Sequence, residues 1–183
     1  MTAAGLVLLF VTLERLVELT ISRSNTARLL AAGAREHSPE HYPFLVLLHV
    51  VWLAGLWIFA WDKPINPLWL SLFALLQVMR FWVLATLGRR WTTRIIVLQG
   101  APLLQSGPYR FVSHPNYLVV IGEIAVLPLA FSMPFYALAF SILNAIALFV
   151  RVRAENEALA SSCRAAPSSH TRPARCRVAR SDP

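Results

Sequence analysis

The chain is patterned as long apolar runs separated by short polar interruptions. Five runs can be followed: residues 3–21, 43–61, 65–87, 115–131 and 134–150. The second, PFLVLLHVVWLAGLWIFAW, is nearly uncharged and about 19 residues long, enough to cross a bilayer as a helix. Asp62-Lys63-Pro64 reads as a short connection to the third run, and Ser132-Met133-Pro134 as a tight break between the last two. Pro128 is placed to kink the end of the fourth run. The last two runs therefore read as two spans or as one helical hairpin. The predicted fold is an all-α integral membrane protein with about five transmembrane or hairpin helices.

Polar residues inside these runs are the informative exceptions, because a charge within a span is costly and usually faces protein or water. The first run carries Glu14, Arg15 and Glu18, and Glu14 and Glu18 lie four apart on one helix face. They are either charges reaching the interface from a helix end or parts of a polar interior site. Arg80 in the third run needs a partner or a route to the surface, and Glu14 or Glu18 is a candidate partner. Glu123 lies inside the fourth run. His49 reads as an intramembrane hydrogen-bonding residue, and Trp52, Trp57 and Trp61 as packing or interface residues.

Residues 88–113, GRRWTTRIIVLQGAPLLQSGPYRFVS, are too polar and broken for a simple span. They predict a segment lying at the membrane face, with a short hairpin as an alternative for part of it. Residues 1–159 form the membrane domain in this reading. Residues 160–183 form a basic tail rich in Ala, Arg, Pro and Ser, a composition that suggests disorder and permits weak contact with anionic lipid. Arginines concentrate in the loop after the first run, in residues 88–113 and after Val150. That asymmetry predicts an odd number of spans, with the C-terminus and the broken segment on the cytoplasmic side.

Composition agrees with the pattern. Apolar residues make up 57% of the 183 and charged residues 14%, against about a quarter charged in a soluble domain. The net charge of +8 sits beside apolar segments and in the tail, so it points to a membrane and not to nucleic acid. Cys163 and Cys176 both fall in the tail, with no C-x-x-C and no metal-ligand spacing. The N-terminal stretch lacks a basic leader region and reads as a retained first span. Nothing in the pattern requires an obligate protein partner.

The chemistry concentrates in GPYRFVSHPNY, residues 107–117. Gly107-Pro108 is a turn signal. Pro115 pushes His114 toward an extended conformation and suits the first turn of the following helix. A helix start favours an anionic group, Arg110 adds a planar cation, and Tyr109 and Tyr117 add rings and hydroxyls. These residues can hold a polar cofactor. They can equally be interfacial anchors. After the last run, RVRAENEAL places Arg151 four residues before Glu155 and Arg153 four before Glu157, as weak ion pairs on a solvated helix or as one pair facing a pocket.

Taken together, GPYRFVSHPNY and RVRAENEAL resemble the isoprenylcysteine carboxyl methyltransferase family of small membrane methyltransferases. HPNYLVVIGEIAVLPL, residues 114–129, is similar to a bacterial branch associated with methylating alkylpyrones. The resemblance implies S-adenosylmethionine as cofactor. It implies a cofactor-binding loop containing Tyr109, His114, Pro115 and Tyr117, and Glu123, an acid inside the fourth run, is counted with these cofactor-binding candidates. Arg151 and Glu155 match the family's arginine and first glutamate at the reaction pocket. Two positions depart from the pattern: Ser113 stands where an arginine often precedes the His-Pro pair, and Asn156 where a second acid often follows the first.

The implied activity is O-methylation of a lipophilic carboxylate, enol or phenol in a bacterial plasma membrane, with the site facing the cytoplasm. Phospholipid N-methylation is the enzymatic alternative. A non-enzymatic membrane protein that binds lipid or stabilises a partner is the alternative of a different class.

Overall fold

The structure, a computed structural model, describes residues 2–37, 39, 42–97 and 106–165, with the side chains of the last helix described through Glu157. Five helices carry the chain back and forth: α1 (Ala3–Ala31), α2 (Tyr42–Phe59), α3 (Pro67–Leu87), α4 (Pro115–Ala130) and α5 (Pro134–Ala165). Each apolar run becomes a helix because a helix satisfies its own backbone, as hydrocarbon requires, and α4 carries Pro128 within its last turn. Helix starts follow local chemistry. The Thr2 side chain accepts from Gly5 N–H at 3.1 Å, and the Asn66 side chain accepts from Leu68 N–H at 3.0 Å just ahead of Pro67.

Three of the five, α2, α3 and α5, are long and apolar enough to cross a membrane, so the expectation of about five spans is corrected. The reasons differ for the other two. Helix α1 has the length but carries Glu14, Arg15, Glu18, Arg23 and Arg28. Helix α4 has 16 residues, about 24 Å of helix against roughly 30 Å of hydrocarbon. Both still run between the same two ends of the bundle. At one end Thr2 hydrogen-bonds the carbonyl of Trp61, and Asn66 N–H reaches Ala130 O at 2.8 Å. At the other end Asn25 of α1 donates to the carbonyls of Gly88 at 3.2 Å and Trp91 at 2.8 Å, just after α3.

The all-α expectation also needs a correction. Arg35–His37 (β1) and Ile95–Val97 (β2) pair antiparallel, with Glu36 opposite Ile96. Within residues 88–113, Ile95–Val97 thus pairs with the α1–α2 connection. Short 3₁₀ turns at Gly88–Arg90 and Gly107–Arg110 flank the rest of the segment. Residues 98–105 lie outside the described residues. Helix α5 continues to Ala165, past the expected boundary at 159, while residues 166–183 of the predicted tail lie outside the described residues.

The core is built around Leu8, Trp52, Leu56, Leu127 and Phe131. Gly55 lets α2 and α5 approach: a Cβ there would meet the Tyr136 hydroxyl at 2.2 Å, and that hydroxyl donates to Trp52 O at 2.7 Å. Leu6, Phe10, Leu47, Ile58, Ile142 and Ile146 are exposed on the outer faces, as side chains bathed in lipid should be. The break after α4 places Ser132 at φ 57°, which reverses the chain in one residue before Pro134 starts α5.

Candidate active site

Gly107 sets up the site. Its φ of 56° is a left-handed conformation, and a Cβ on it would lie 2.6 Å from Thr86 Oγ1. Glycine is needed on both counts. The 3₁₀ turn it opens brings Tyr109 beneath the start of α4. His114 occupies the position before Pro115 and makes no capping hydrogen bond with its side chain. The imidazole instead stacks on Tyr117, one turn along, with ring centroids 5.2 Å apart and planes inclined by 17°.

Helix α5 supplies the opposing wall. Arg151 and Glu155 share a face because they lie one turn apart. Both meet the Tyr117 hydroxyl: Arg151 Nε donates to it at 2.9 Å, and it donates to Glu155 Oε2 in a short contact. His114 Nδ1 lies 3.8 Å from the same carboxylate oxygen. Arg151 Nη2 also donates to Thr93 O at 2.7 Å, which ties α5 to the segment after α3. Thr93 is held in turn by Ser22 of α1, whose Oγ accepts from Thr93 N–H at 2.8 Å. Burial first, and then the Glu155 charge, push the Tyr109 phenol up to about 12.

Tyr109, His114, Tyr117, Arg151 and Glu155 therefore line one cavity of about 190 Å³. Pro115 shapes the helix start and is not part of the lining. Glu123 lies elsewhere. It sits two turns deeper along α4, 2% exposed, where Oε2 accepts from Arg80 Nη1 at 2.9 Å and from Arg15 Nη2 at 2.8 Å, and Oε1 accepts from Gln77 Nε2 at 3.0 Å. Its oxygens are occupied by protein donors, so the structure does not bring it to the cavity. Glu18 completes this second cluster, with Arg80 Nη2 at 2.6 Å. The anticipated partner of Arg80 is thus Glu18, with Glu123 as a second and Glu14 at 4.0 Å. His49 bonds its own helix, with Nδ1 2.8 Å from Leu45 O.

Several lining residues were not singled out from the sequence as site residues: Trp91, Thr92, Arg94 and Asn116, while Ser113, noted for its departure from the family pattern, also lines the cavity. Asn116 lay in plain view between Pro115 and Tyr117. The Thr93 carbonyl left no signal, because any residue supplies a carbonyl. Trp91 Nε1 and Asn116 Oδ1 are buried without a hydrogen-bond partner among the described residues. An orphaned buried polar atom costs about 1–3 kcal/mol. Among the described residues no group of three or more His, Cys, Asp or Glu is placed to hold a metal ion.

A bundle with an apolar exterior, a buried ionic cluster and a polar aromatic cavity at its arginine-rich end defines a small polytopic membrane protein with a candidate ligand site. The chain belongs to the isoprenylcysteine carboxyl methyltransferase (ICMT) family, which matches residues 69–161. It is 36% identical to the uncharacterized protein YpbQ of Bacillus subtilis (strain 168), over 80% of this chain and 90% of that protein. It is 26% identical to an uncharacterized protein of Haemophilus influenzae, over 79% of this chain and 88% of that one. No solved structure matches the chain. Family membership supports an S-adenosylmethionine-dependent membrane methyltransferase, and the spans and bacterial relatives support an integral bacterial membrane protein.

The residues of the cavity suit that cofactor. Its sulfonium and ammonium would find the Glu155 carboxylate and aromatic faces there, and its carboxylate would find arginines.

Proposed function

We propose that the protein is an S-adenosylmethionine-dependent O-methyltransferase whose acceptor is a lipophilic carboxylate, enol or phenol, with alkylpyrone enols as the first class to test. The observation that carries the site assignment is the junction at the Tyr117 hydroxyl, where Arg151 from one side and Glu155 from the other meet beside His114. The cavity stands at the arginine-rich end of the bundle, which supports a cytoplasmic orientation.

S-adenosylmethionine, when bound, supplies an electrophilic methyl group on a cationic sulfur. The protein's share is alignment and charge placement. Glu155, His114, Tyr109 and Tyr117 hold the cofactor, with Glu155 offering negative charge to its cationic groups. Arg151 is held by Thr93 O and the Tyr117 hydroxyl and turns a cation toward an anionic acceptor oxygen. A carboxylate acceptor has no proton to lose. A phenol or enol does, and His114 and Glu155 are the groups placed to take it. Tyr117 is not such a base, since its proton is committed to Glu155. Glu123 is withdrawn from the cofactor site and assigned to the interior cluster. Residues 1–159 carry the activity in this reading, and residues 160–183 are dispensable for it.

The test is methyl transfer from labelled cofactor by the detergent-purified chain to alkylpyrones, alkylresorcinols, prenylcysteines and aminophospholipids. Product mass and the position of the label separate O- from N-methylation. A folded protein that neither binds the cofactor nor methylates any of these classes would overturn the proposal.

A further inference from the structure

We propose that Ser22 of α1 is a positioning residue for methyl transfer: by pinning Thr93 it sets the carbonyl that holds Arg151 in place. The inference rests on the methyl-transfer reading above and deepens it, because it gives a part in turnover to a helix that lies ahead of the family match at residues 69–161. Residues 91–94 belong to no helix or strand, so their backbone groups must find partners elsewhere. Helix α1 supplies them. Asn25 Nδ2 donates to Gly88 O at 3.2 Å and to Trp91 O at 2.8 Å, and Ser22 Oγ accepts from Thr93 N–H at 2.8 Å. Ser22 and Asn25 lie three apart on one helix face, and both are buried. Other hydroxyls of the same helix behave differently. Thr12 and Thr20 donate back to Leu8 O and Leu16 O of their own helix. Ser22 is turned instead onto the segment that walls the cavity.

Thr93 gives its N–H to Ser22 and its carbonyl to Arg151. The two groups flank one Cα, so with the N–H pinned only the φ and ψ of Thr93 separate the anchor from the carbonyl. The chain is fixed again two residues on, where Ile95 pairs with His37. The hydroxyls add a second tie. Thr93 Oγ1 donates to the Tyr42 hydroxyl at 3.3 Å, so in its 2.8 Å contact with Ser22 Oγ the serine is the donor. Helices α1 and α2 therefore grip Thr93 together. Arg151 in turn rests on two bonds, Nη2 to Thr93 O at 2.7 Å and Nε to the Tyr117 hydroxyl at 2.9 Å. Two bonds fix the plane of the guanidinium. With the Thr93 carbonyl free to shift, the guanidinium keeps one anchor and pivots about it, and a reaction that depends on alignment slows. Ser22 does not line the cavity, so its part in turnover runs through Arg151.

The test uses the full chain in detergent, labelled cofactor, and whichever of the four acceptor classes above the unaltered chain methylates. Ser22→Ala lowers kcat about fivefold, while affinity for S-adenosylhomocysteine stays within about twofold. The deciding measurement is a double-mutant cycle. Arg151→Lys has already lost the two-point hold, so adding Ser22→Ala to it lowers kcat by less than about twofold more. A serine that only supported the fold would lower kcat by the same factor in both backgrounds. It would also weaken S-adenosylhomocysteine, because Trp91, Thr92 and Arg94 of the same segment line the cavity. Ser22→Cys keeps the shape with a weaker acceptor and lowers kcat about threefold, which provides the reading where Ser22→Ala does not fold. Equal losses in the two backgrounds, an unchanged kcat, a matching loss of S-adenosylhomocysteine affinity, or loss of folded protein in both Ser22 variants overturns the inference while leaving methyl transfer standing. Failure of the unaltered chain to methylate any acceptor removes the methyl-transfer reading, and this inference with it.

Discussion

Two clusters of arginine and glutamate in the molecule are used in opposite ways. In the interior, Arg80 lies between Glu18 and Glu123, with Arg15 and Gln77 closing the ring. Arg80, Glu18 and Glu123 are all buried. At the arginine-rich end, Arg151 and Glu155 meet through a shared tyrosine, and His114 and Glu155 keep roughly a fifth and more than a quarter of their side-chain surface open. The interior cluster spends its charge on holding α1, α3 and α4 together. The end cluster holds its charges in place while leaving them reachable. What separates a structural ion cluster from a candidate site is therefore access, and not residue type.

The sharpest way to break the comparison is to remove the interior cation. Arg80→Met leaves Glu18 and Glu123 buried without their main partner, and breaking a buried pair this way costs about 3–5 kcal/mol. We expect most of the protein to be lost as folded, monodisperse material in detergent, with cofactor binding lost alongside. A variant with an unchanged unfolding midpoint would show that the cluster is not what joins these helices.

The end cluster should respond in the opposite sense. Glu155→Gln keeps the shape and removes the charge, so the unfolding midpoint stays within about one or two degrees of the parent. Methyl transfer falls about a hundredfold, the scale of removing one well-placed electrostatic partner. His114→Ala should cost about tenfold through cofactor binding, whereas Cys163→Ala, the control in the tail region, leaves turnover as it was. A result in which Glu155→Gln unfolds the protein and Arg80→Met does not would invert the assignment of the two regions.

Much of this contrast was readable in advance, and the part that was not has a physical reason. Apolar runs located all five helices, and the cost of a charge in lipid already demanded a partner for Arg80. Turn and helix-start chemistry in GPYRFVSHPNY brought out Tyr109, His114 and Tyr117, which do share a cavity. Glu123 was grouped with them as a costly acid inside the fourth run. On a helix, nine residues after His114 is about 13 Å of depth, which carried it into the interior cluster. The pairing of β1 with β2 joins three-residue strands far apart in the chain, too short to leave a periodic signal. Thr93 acts through its carbonyl and Ser22 through a contact across 71 residues, so neither announces itself in the sequence.

A finer cut asks whether Arg151 works by charge alone. Its Nε and Nη2 engage two different elements at once, the Tyr117 hydroxyl and Thr93 O. A lysine cannot reproduce that fork. Arg151→Lys should lower kcat about tenfold with a smaller change in cofactor affinity. Equal activity would mean that a point charge suffices and that the anchoring to Thr93 has no part in turnover.

The smallest expected effect concerns Tyr109. Burial, with the Glu155 charge adding to it, raises its phenol from the ordinary value of 10.0 to about 12. The folded protein therefore holds this proton more tightly than the unfolded chain. The associated stability is fully present below pH about 10 and is lost as pH rises toward about 12. Within the range from about pH 6 to 9 the ring stays neutral in both states. Tyr109→Phe should then leave the shape of the pH–rate profile unchanged across that range, with a rate within about threefold of the parent from loss of one hydroxyl. An alkaline limb present in the parent and missing in Tyr109→Phe would show that the phenol ionises during turnover. That outcome would make Tyr109 a proton-transfer group and would move it from the wall of the cavity into its chemistry.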